Sequence, residues 1–285
     1  MRWQRRVKRA ALAVARVASR PDPATRRIVL CYHSVHPNRQ YASSTPEVFE
    51  RQVEWLKAHC RVTTLADVVT NRNTVSGTPL VAITFDDGYE DNHSYALPIL
   101  SKHGVPATFF ITAGLVNRDP TVLQRLQWLW GCRPDDIVPL DWAQVRELHA
   151  SGMDIGSHTY SHPNLARLSA VEAEHELRRS TDVISDQLGA PIDLFAYPFG
   201  KPAVHFTTTT TDVVRAQGYR MAAAVTFRGV RDSDSVYSIP RFFADGDDVS
   251  KLDAKIAGLY DVIGWWQDHA PLSAKRLVSP DDFRR

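Results

Sequence analysis

Cysteine is scarce and scattered. The 285 residues contain three, Cys31, Cys60 and Cys132, and no two are spaced as a CxxC pair. An odd, sparse set is neither a disulfide framework nor a thiolate zinc site. It reads as three small core residues in a reducing compartment. Long apolar runs are missing too. None approaches the ~18 residues that a bilayer-spanning helix needs, which argues against an integral membrane protein. A hydrophobic share of 44% and a charged share of 23% are those of an ordinary soluble domain, so wholesale disorder and a collagen-like repeat are set aside. A chain of this length buries about three quarters of its unfolded surface and needs no staple for stability. No internal repeat is visible.

The body of the chain also lacks positive charge. Residues 1–27 hold nine basic residues and one acid, Asp22, a net +8; with +2 for the whole chain, residues 28–285 carry −6. A nucleic-acid partner needs a basic face on the fold itself, so none is expected. In residues 1–20, Trp3, Val7, Ala10, Ala11, Val14 and Val17 recur at roughly helical spacing between arginines. Such a basic amphipathic helix is either solvated or rests on an anionic membrane surface. It makes a poor export signal, because its apolar stretch is short, Arg16 interrupts it and Pro21 follows soon after. The cytoplasm, at the inner face of the membrane or away from it, is the expected compartment.

From Ile28 onward, short apolar runs alternate with amphipathic stretches. Residues 28–32, 61–64, 80–85, 107–111, 153–156, 194–197 and 221–226 are candidate strands. Their dense β-branched and aromatic content, with little polar alternation, predicts strands buried on both faces. Thr45-Pro46 opens a helix through His59, and Asp141 opens another through Ala150. Ser169-Ala-Val-Glu172 is a capping box for a helix that stops at Gly189, and Thr211 or Asp212 caps a short helix ending before Gly218. This alternation predicts an α/β fold with parallel strands and right-handed crossovers; spacing alone leaves a barrel and a doubly wound sheet both open. Residues 118–139, with Gln127-Trp128-Leu129-Trp130, read as an inserted excursion roofing a site, its tryptophans packing rather than carrying sugar. The run 207–211 reads as a flexible loop.

Two elements carry chemistry. The strand at 80–85 runs into Asp86-Asp87-Gly88. In parallel α/β folds, sites form at the carboxyl ends of strands, and adjacent buried carboxylates need partners. One of the pair suits a cation and the other a base, although alone the pair also reads as a helix cap and a solvated acid. Ser157-His158-Thr-Tyr-Ser-His162-Pro163 follows another strand. Two histidines four apart on a helical turn can share a metal, and Pro163 restricts the helix to a single turn. One carboxylate and two histidines at strand ends make an open metal site, for which zinc is the default and iron, cobalt, nickel or manganese fit the same donors. A water acidified there attacks an acyl carbonyl, with the second aspartate as base.

Thr84-Phe-Asp-Asp-Gly88 and Ser157-His-Thr-Tyr-Ser-His162 resemble the first and second motifs of the polysaccharide deacetylases, the NodB-homology family. Phe195-Ala-Tyr-Pro-Phe-Gly200 resembles the third; Cys31-Tyr-His-Ser34, Ala107-Thr-Phe-Phe-Ile111 and residues 222–226 fit as well. The resemblance implies a distorted (β/α)7 barrel with parallel strands over residues 28–245, between a basic extension at 1–27 and a helical one at 246–285. It implies a metal-dependent hydrolase that removes acetyl from the N-acetylated sugars of a glycan, free or lipid-linked. Asp87, His158 and His162 would hold one divalent ion, Asp86 would be the general base, and the backbone N–H of Phe199 would meet the oxyanion. The chain departs from the pattern twice. Many members have an arginine that orients the base where this chain has Ala196. Many have a late Leu-x-His motif supplying the acid where this chain reads Ser238-Ile-Pro-Arg-Phe242. Arg241 is expected to orient Asp86 in place of the missing arginine. For the acid, His33 at the end of the first strand comes first and His205 second; Asp86 returning its own proton is the third route. Rival readings are an O-acetyl esterase or other small-amide hydrolase on the same fold, a non-catalytic glycan-binding barrel, and an interaction protein working through its basic N-terminus.

Overall fold

The computed structural model describes residues 26–38, 43–71, 77–130 and 138–277. The basic extension up to residue 25 and Cys132 lie outside them. In chain order the elements are β1 (Arg27–Tyr32), β2 (Ser34–Val35), β3 (Ser43–Ser44), α1 (Pro46–His59), β4 (Arg61–Val62), α2 (Leu65–Thr70) and β5 (Leu80–Phe85). A wide turn, Asn92–Ala96, leads into α3 (Leu97–His103), followed by β6 (Ala107–Ile111), α4 (Ala113–Val116), α5 (Pro120–Trp130), α6 (Trp142–Ala150) and β7 (Asp154–Ser157). The rest comprises α7 (Ala170–Leu188), β8 (Leu194–Ala196), α8 (Thr208–Ala216), β9 (Met221–Ala223), β10 (Phe242–Phe243), α9 (Val249–Ile256), α10 (Asp261–His269) and α11 (Leu272–Leu277). None of the described helices is long and apolar enough to cross a membrane.

Strands β10-β1-β5-β6-β7-β8-β9 pair in parallel in that order, and β4 pairs with the start of β5. The sheet curls until β9 meets the segment before β10. There Ala224 N–H donates to the Ile239 carbonyl at 2.7 Å, and Ile239 N–H to the Ala222 carbonyl at 3.0 Å. This bridge is isolated, and the Ala224 carbonyl beyond it accepts from the Arg241 side chain, so the closure stays short and the (β/α)7 barrel is distorted.

Strands β1, β5 and β6 are buried at every position, as both-face coverage requires. Successive residues divide between two clusters. Ile28, Leu30, Val81, Ile83 and Phe109 join the large core beneath the helices, whereas Val29, Ala82, Phe110, Ala196 and Ala223 form a second cluster inside the barrel. Helix α2 adds Leu65 and Val68 to this inner cluster. The strand period of two then carries the inner rows onward, from Val29 to Cys31 and His33, and from Ala82 to Thr84 and Asp86. Sequence periodicity thus delivers polar side chains to the mouth of the barrel, at the carboxyl ends of its strands.

Helix α1 begins at Pro46 behind a Thr45 cap, and α7 begins with the Ser169–Glu172 box and ends at Gly189 in the left-handed conformation (φ 64). Helix α8 differs from expectation. It starts at Thr208, and Thr207 and Thr210 form a reciprocal capping box. The expected loop at 207–211 is therefore a helix start, hidden because threonine supplies both halves of a box more often built with glutamate or glutamine. The described part of the excursion is also ordered. Helix α5 buries Val122 and Leu126. The return segment lies beside the residues after Asp87, with Glu90 N–H donating to the Val138 carbonyl and Leu140 N–H to the Gly88 carbonyl. Trp128, expected to pack, is 52% exposed.

Candidate active site

Asp86 and Asp87 follow directly on β5, buried together. Asp87 has φ 76 and Gly88 φ 87, so the chain turns sharply where glycine is needed and where an aspartate is tolerated. The turn separates the fates of the two carboxylates. Asp86 meets Arg241: Nη1 to Oδ1 and Nη2 to Oδ2 are both 2.7 Å. This bidentate fork is itself held inside the barrel, with Arg241 Nε donating to the Ala224 carbonyl at 3.1 Å and Nη1 to Thr84 Oγ1 at 3.1 Å. Thr84 in turn donates to the Leu30 carbonyl, and the Cys31 thiol lies 3.4 Å from Asp86 Oδ2. Burial pushes the Asp86 carboxyl up, but the Arg241 charge and then His158 pull it down further, so it rests well below the ordinary carboxylate range. Arg241 remains fully charged. The guanidinium thus lies where the sequence reading assigned it, against Asp86, and Ala196 contributes only backbone there.

Asp87 turns the other way, toward two imidazoles. Its Oδ1 is 3.6 Å from His158 Nε2 and 3.5 Å from His162 Nε2. Oδ1 is buried and accepts no hydrogen bond. An orphaned carboxylate oxygen is costly unless a cation satisfies it. A tetrahedral ion with ~2 Å bonds places its ligand atoms about 3.3 Å apart, close to what is found. His158 Nδ1 sits 2.8 Å from the Ala196 carbonyl, which fixes the proton on Nδ1 and leaves Nε2 free to ligate. One oxygen and two imidazole nitrogens suit zinc and other divalent first-row ions, so these residues fit the metal that the sequence implies. Burial raises the Asp87 carboxyl and lowers His162 well below its ordinary value. In both cases burial acts against the charged form, and a bound cation would favour the ligating carboxylate and neutral imidazole.

The histidines do not share a helical turn. Thr159 (φ 68) and His162 (φ 55) are left-handed, and residues 158–164 carry no regular structure. Pro163 disfavours helix at His162, and the chain instead folds back through two left-handed residues. Of the six non-glycine residues with positive φ among the described residues, Asp87, Thr159, His162 and Phe199 belong to the site. Backbone strain is thus concentrated at the candidate site.

His33 faces the mouth from β1. Its backbone N–H donates to Asp245 Oδ1 at 2.9 Å, and its Nδ1 lies 2.8 Å from Asp245 Oδ2. Burial alone would lower its pKa, but Asp245 more than offsets this and raises it to about 9. Asp245 is presented by a loop after β10 that Gln52 grips, donating to the Ala244 and Asp247 carbonyls at 3.2 and 2.8 Å. The Lys255–Asp247 ion pair closes the same loop. Phe199 is left-handed (φ 60), and its ring stands edge-on to His162 at 4.7 Å between centroids. His205 packs against Phe199, its Nδ1 accepting from Lys201 N–H, and burial pushes it down to about 3. With its pKa lowered in this way, His205 is neutral near pH 7, and its contacts are those of a strut in the third-motif loop.

Sequence reasoning missed Asp245, Gln52 and Arg125, whose guanidinium donates to the His162 carbonyl. Asp245 had a usable signal, an acid two residues after β10, the short strand that Arg241 immediately precedes, much as Asp86 follows β5. Gln52 and Arg125 had none, since a lone polar residue on an amphipathic helix reads as a solvated face.

Comparison with known proteins bears on this geometry. The solved structure of IcaB from Ammonifex degensii superposes with a TM-score of 0.67 and 26% sequence identity, covering 81% of this chain and 97% of that one. A Streptococcus pyogenes deacetylase in complex with acetate shares the fold, with a TM-score of 0.68 and 21% identity over 81% and 98% of the two chains. The poly-beta-1,6-N-acetyl-D-glucosamine N-deacetylase of Staphylococcus aureus strain MRSA252 is 23% identical over 75% of this chain and 71% of its own length. Residues 74–222, more than half of the 285, match the family described as polysaccharide deacetylase: the chain belongs to the polysaccharide deacetylase family.

Proposed function

We propose that the chain is a metal-dependent hydrolase that removes acetyl groups from N-acetylglucosamine units of a polysaccharide, an oligosaccharide or a lipid-linked glycan. One observation carries the reading. An Arg-clamped carboxylate, Asp86, adjoins a trio, Asp87, His158 and His162, whose ligand atoms all lie within 4.8 Å of one another. When bound, a divalent ion, zinc by default, supplies Lewis acidity toward the acetyl oxygen and acidifies water beside Asp86. Asp86, kept ionised by Arg241, takes the proton of the attacking water. The fork leaves a lone pair on each carboxylate oxygen for this task. The backbone N–H of Phe199 meets the oxyanion of the tetrahedral intermediate. His33 gives its Nε2 proton to the departing amine, since Asp245 holds its Nδ1. Collapse releases acetate and leaves a free amine, which protonates and turns a neutral sugar into a cation.

The substrate class is supported by the Staphylococcus aureus relative, whose name specifies a polymer of N-acetylglucosamine. The test is acetate release from chito-oligosaccharides and from β-1,6-linked N-acetylglucosamine polymers, with metal analysis of the same preparations. Turnover by the parent and none by Asp86→Asn is the expected result. Release from O-acetylated sugars alone would move the assignment to the esterase reading. No release, with no metal retained, would move it to a non-catalytic barrel.

A further inference from the structure

We propose that Arg125 is a positioning residue for the metal ligand His162, and that helix α5 clamps the 158–162 loop in its ligand-binding shape. The inference rests on reading Asp87, His158 and His162 as metal ligands, and it adds a function for the excursion, which the sequence suggested only as a roof.

The loop cannot hold its own shape. Thr159 and His162 both occupy the left-handed region, at roughly 1–2 kcal/mol for each non-glycine residue. Such a conformation persists only where the surroundings over-determine it. Inside the loop, His162 N–H donates to Thr159 Oγ1 at 3.0 Å. From below, Ala113 and Gly114 at the start of α4 donate to the Thr159 and Tyr160 carbonyls at 3.2 and 2.8 Å. The approach is close: a Cβ at Gly114 would lie 2.6 Å from the Tyr160 oxygen. From α7, Glu176 accepts from Ser161 N–H, and the Arg179 guanidinium stacks 3.4 Å over the Tyr160 ring.

Helix α5 supplies the remaining hold, at two points. At its first turn, Asp119 accepts from Thr121 and Val122 N–H through Oδ1 and from the Tyr160 hydroxyl through Oδ2. Two turns on, Arg125 Nη2 donates to the His162 carbonyl and Nη1 to Ser161 Oγ at 3.3 Å. Fixing that carbonyl fixes the peptide plane leaving His162, and with it the direction in which the imidazole projects. The other hydrogen bonds to the loop named above act one to three residues earlier, and Phe199 meets the imidazole by ring contact. Arg125 holds the His162 backbone itself from outside the loop.

A guanidinium beside a dication also repels it, so the sign of the effect has to be decided. Glu176, on α7, interacts with the Arg125 charge and accepts from Ser161 N–H; its negative charge opposes the repulsion, and the carbonyl bond is taken as the dominant contribution. Loss of a group that orients a metal ligand weakens metal affinity by roughly 10–100-fold.

The experiment is chelator-competition titration of the apo full chain with cobalt(II), read by its visible absorption, for the parent, Arg125→Ala, Arg125→Gln and Arg179→Ala. Thermal unfolding of each apo form reports folding separately. Arg125→Ala is expected to bind cobalt roughly 10–100-fold more weakly, with an altered absorption band. Arg125→Gln, which keeps a donor without the charge, should recover part of the loss. Arg179→Ala, which releases only the Tyr160 ring, should lose less than Arg125→Ala. Parent-like affinity and spectrum in both Arg125 variants would overturn the proposal, as would tighter binding by Arg125→Ala, which would make charge repulsion the dominant effect. Should Arg125→Ala not fold, Arg125→Gln decides alone: weaker binding than the parent supports the clamp, and equal binding overturns it. A parent that binds no cobalt would instead remove the metal reading on which the inference stands.

Discussion

The two halves of the site differ in how complete they are. On the base side, both Asp86 oxygens are taken by Arg241, and His33 Nδ1 by Asp245. On the metal side, Asp87 Oδ1 is buried with no hydrogen bond and two imidazole nitrogens converge on it from left-handed loops. The first half is organised by protein groups alone and sits at the ends of regular strands. The second is organised around a charge that the protein does not supply, and it sits on strained backbone. The acid–base geometry should therefore survive metal removal, whereas the ligand loop should depend on metal.

Four predictions sharpen or break this contrast. The largest effect is expected at Asp86. Asp86→Asn should lower kcat by about 10²–10⁴-fold while metal content stays at the parent level; metal loss in that variant would erase the distinction between the halves. Next comes Arg241. Removing one partner of a buried ion pair costs about 3–5 kcal/mol, so Arg241→Ala should lower the melting temperature by on the order of 10 °C, with or without metal present. An unchanged melting temperature would mean that the fork carries no structural weight. Third, a divalent ion that binds only the folded chain at 100 times its Kd stabilises by about 2.7 kcal/mol. Chelation should reduce thermal stability by that order in the parent and leave His158→Ala unaffected. An equal response in both would place the ion elsewhere.

The smallest effect concerns pH. Asp245 raises His33 from 6.5 to about 9, so the acid form of His33 persists at neutral pH and activity should fall on the alkaline side as it deprotonates. Asp245→Asn removes the raising charge and should move that alkaline limb downward, toward the ordinary histidine range. A bound cation lowers the limb in parent and variant alike, so the informative quantity is the displacement between them. The same pair contributes stability that is fully present below about pH 6.5 and lost as pH rises through about 9. No displacement in Asp245→Asn would remove His33 as the acid.

Much of this was legible in the chain itself. The unbroken apolar runs at 28–32, 80–85 and 107–111 predicted doubly covered strands, and β1, β5 and β6 lie there. Local capping chemistry at Thr45, Asp141 and Ser169 was read correctly because it involves residues three apart. The seam between β9 and β10 was not legible, since Pro240 and a two-residue strand leave no periodic signal. The local geometry of His158 and His162 was misread as a helical turn, because four-residue spacing is shared by helices and by tight left-handed loops. Arg241 was legible only through the family resemblance, as an arginine late in a chain whose third motif has Ala196 where many members have the arginine that orients the base. Asp245 and Arg125 act across 212 and 37 residues of sequence respectively, and pairings of that kind become visible only once the barrel has closed.

Metal content by elemental analysis, on the parent, Asp86→Asn and His158→Ala purified identically, tests the central claim most directly. One divalent ion per chain in the parent and in Asp86→Asn, and almost none in His158→Ala, is the predicted result. Full metal in His158→Ala, or acetate release by a parent stripped of metal, would contradict it.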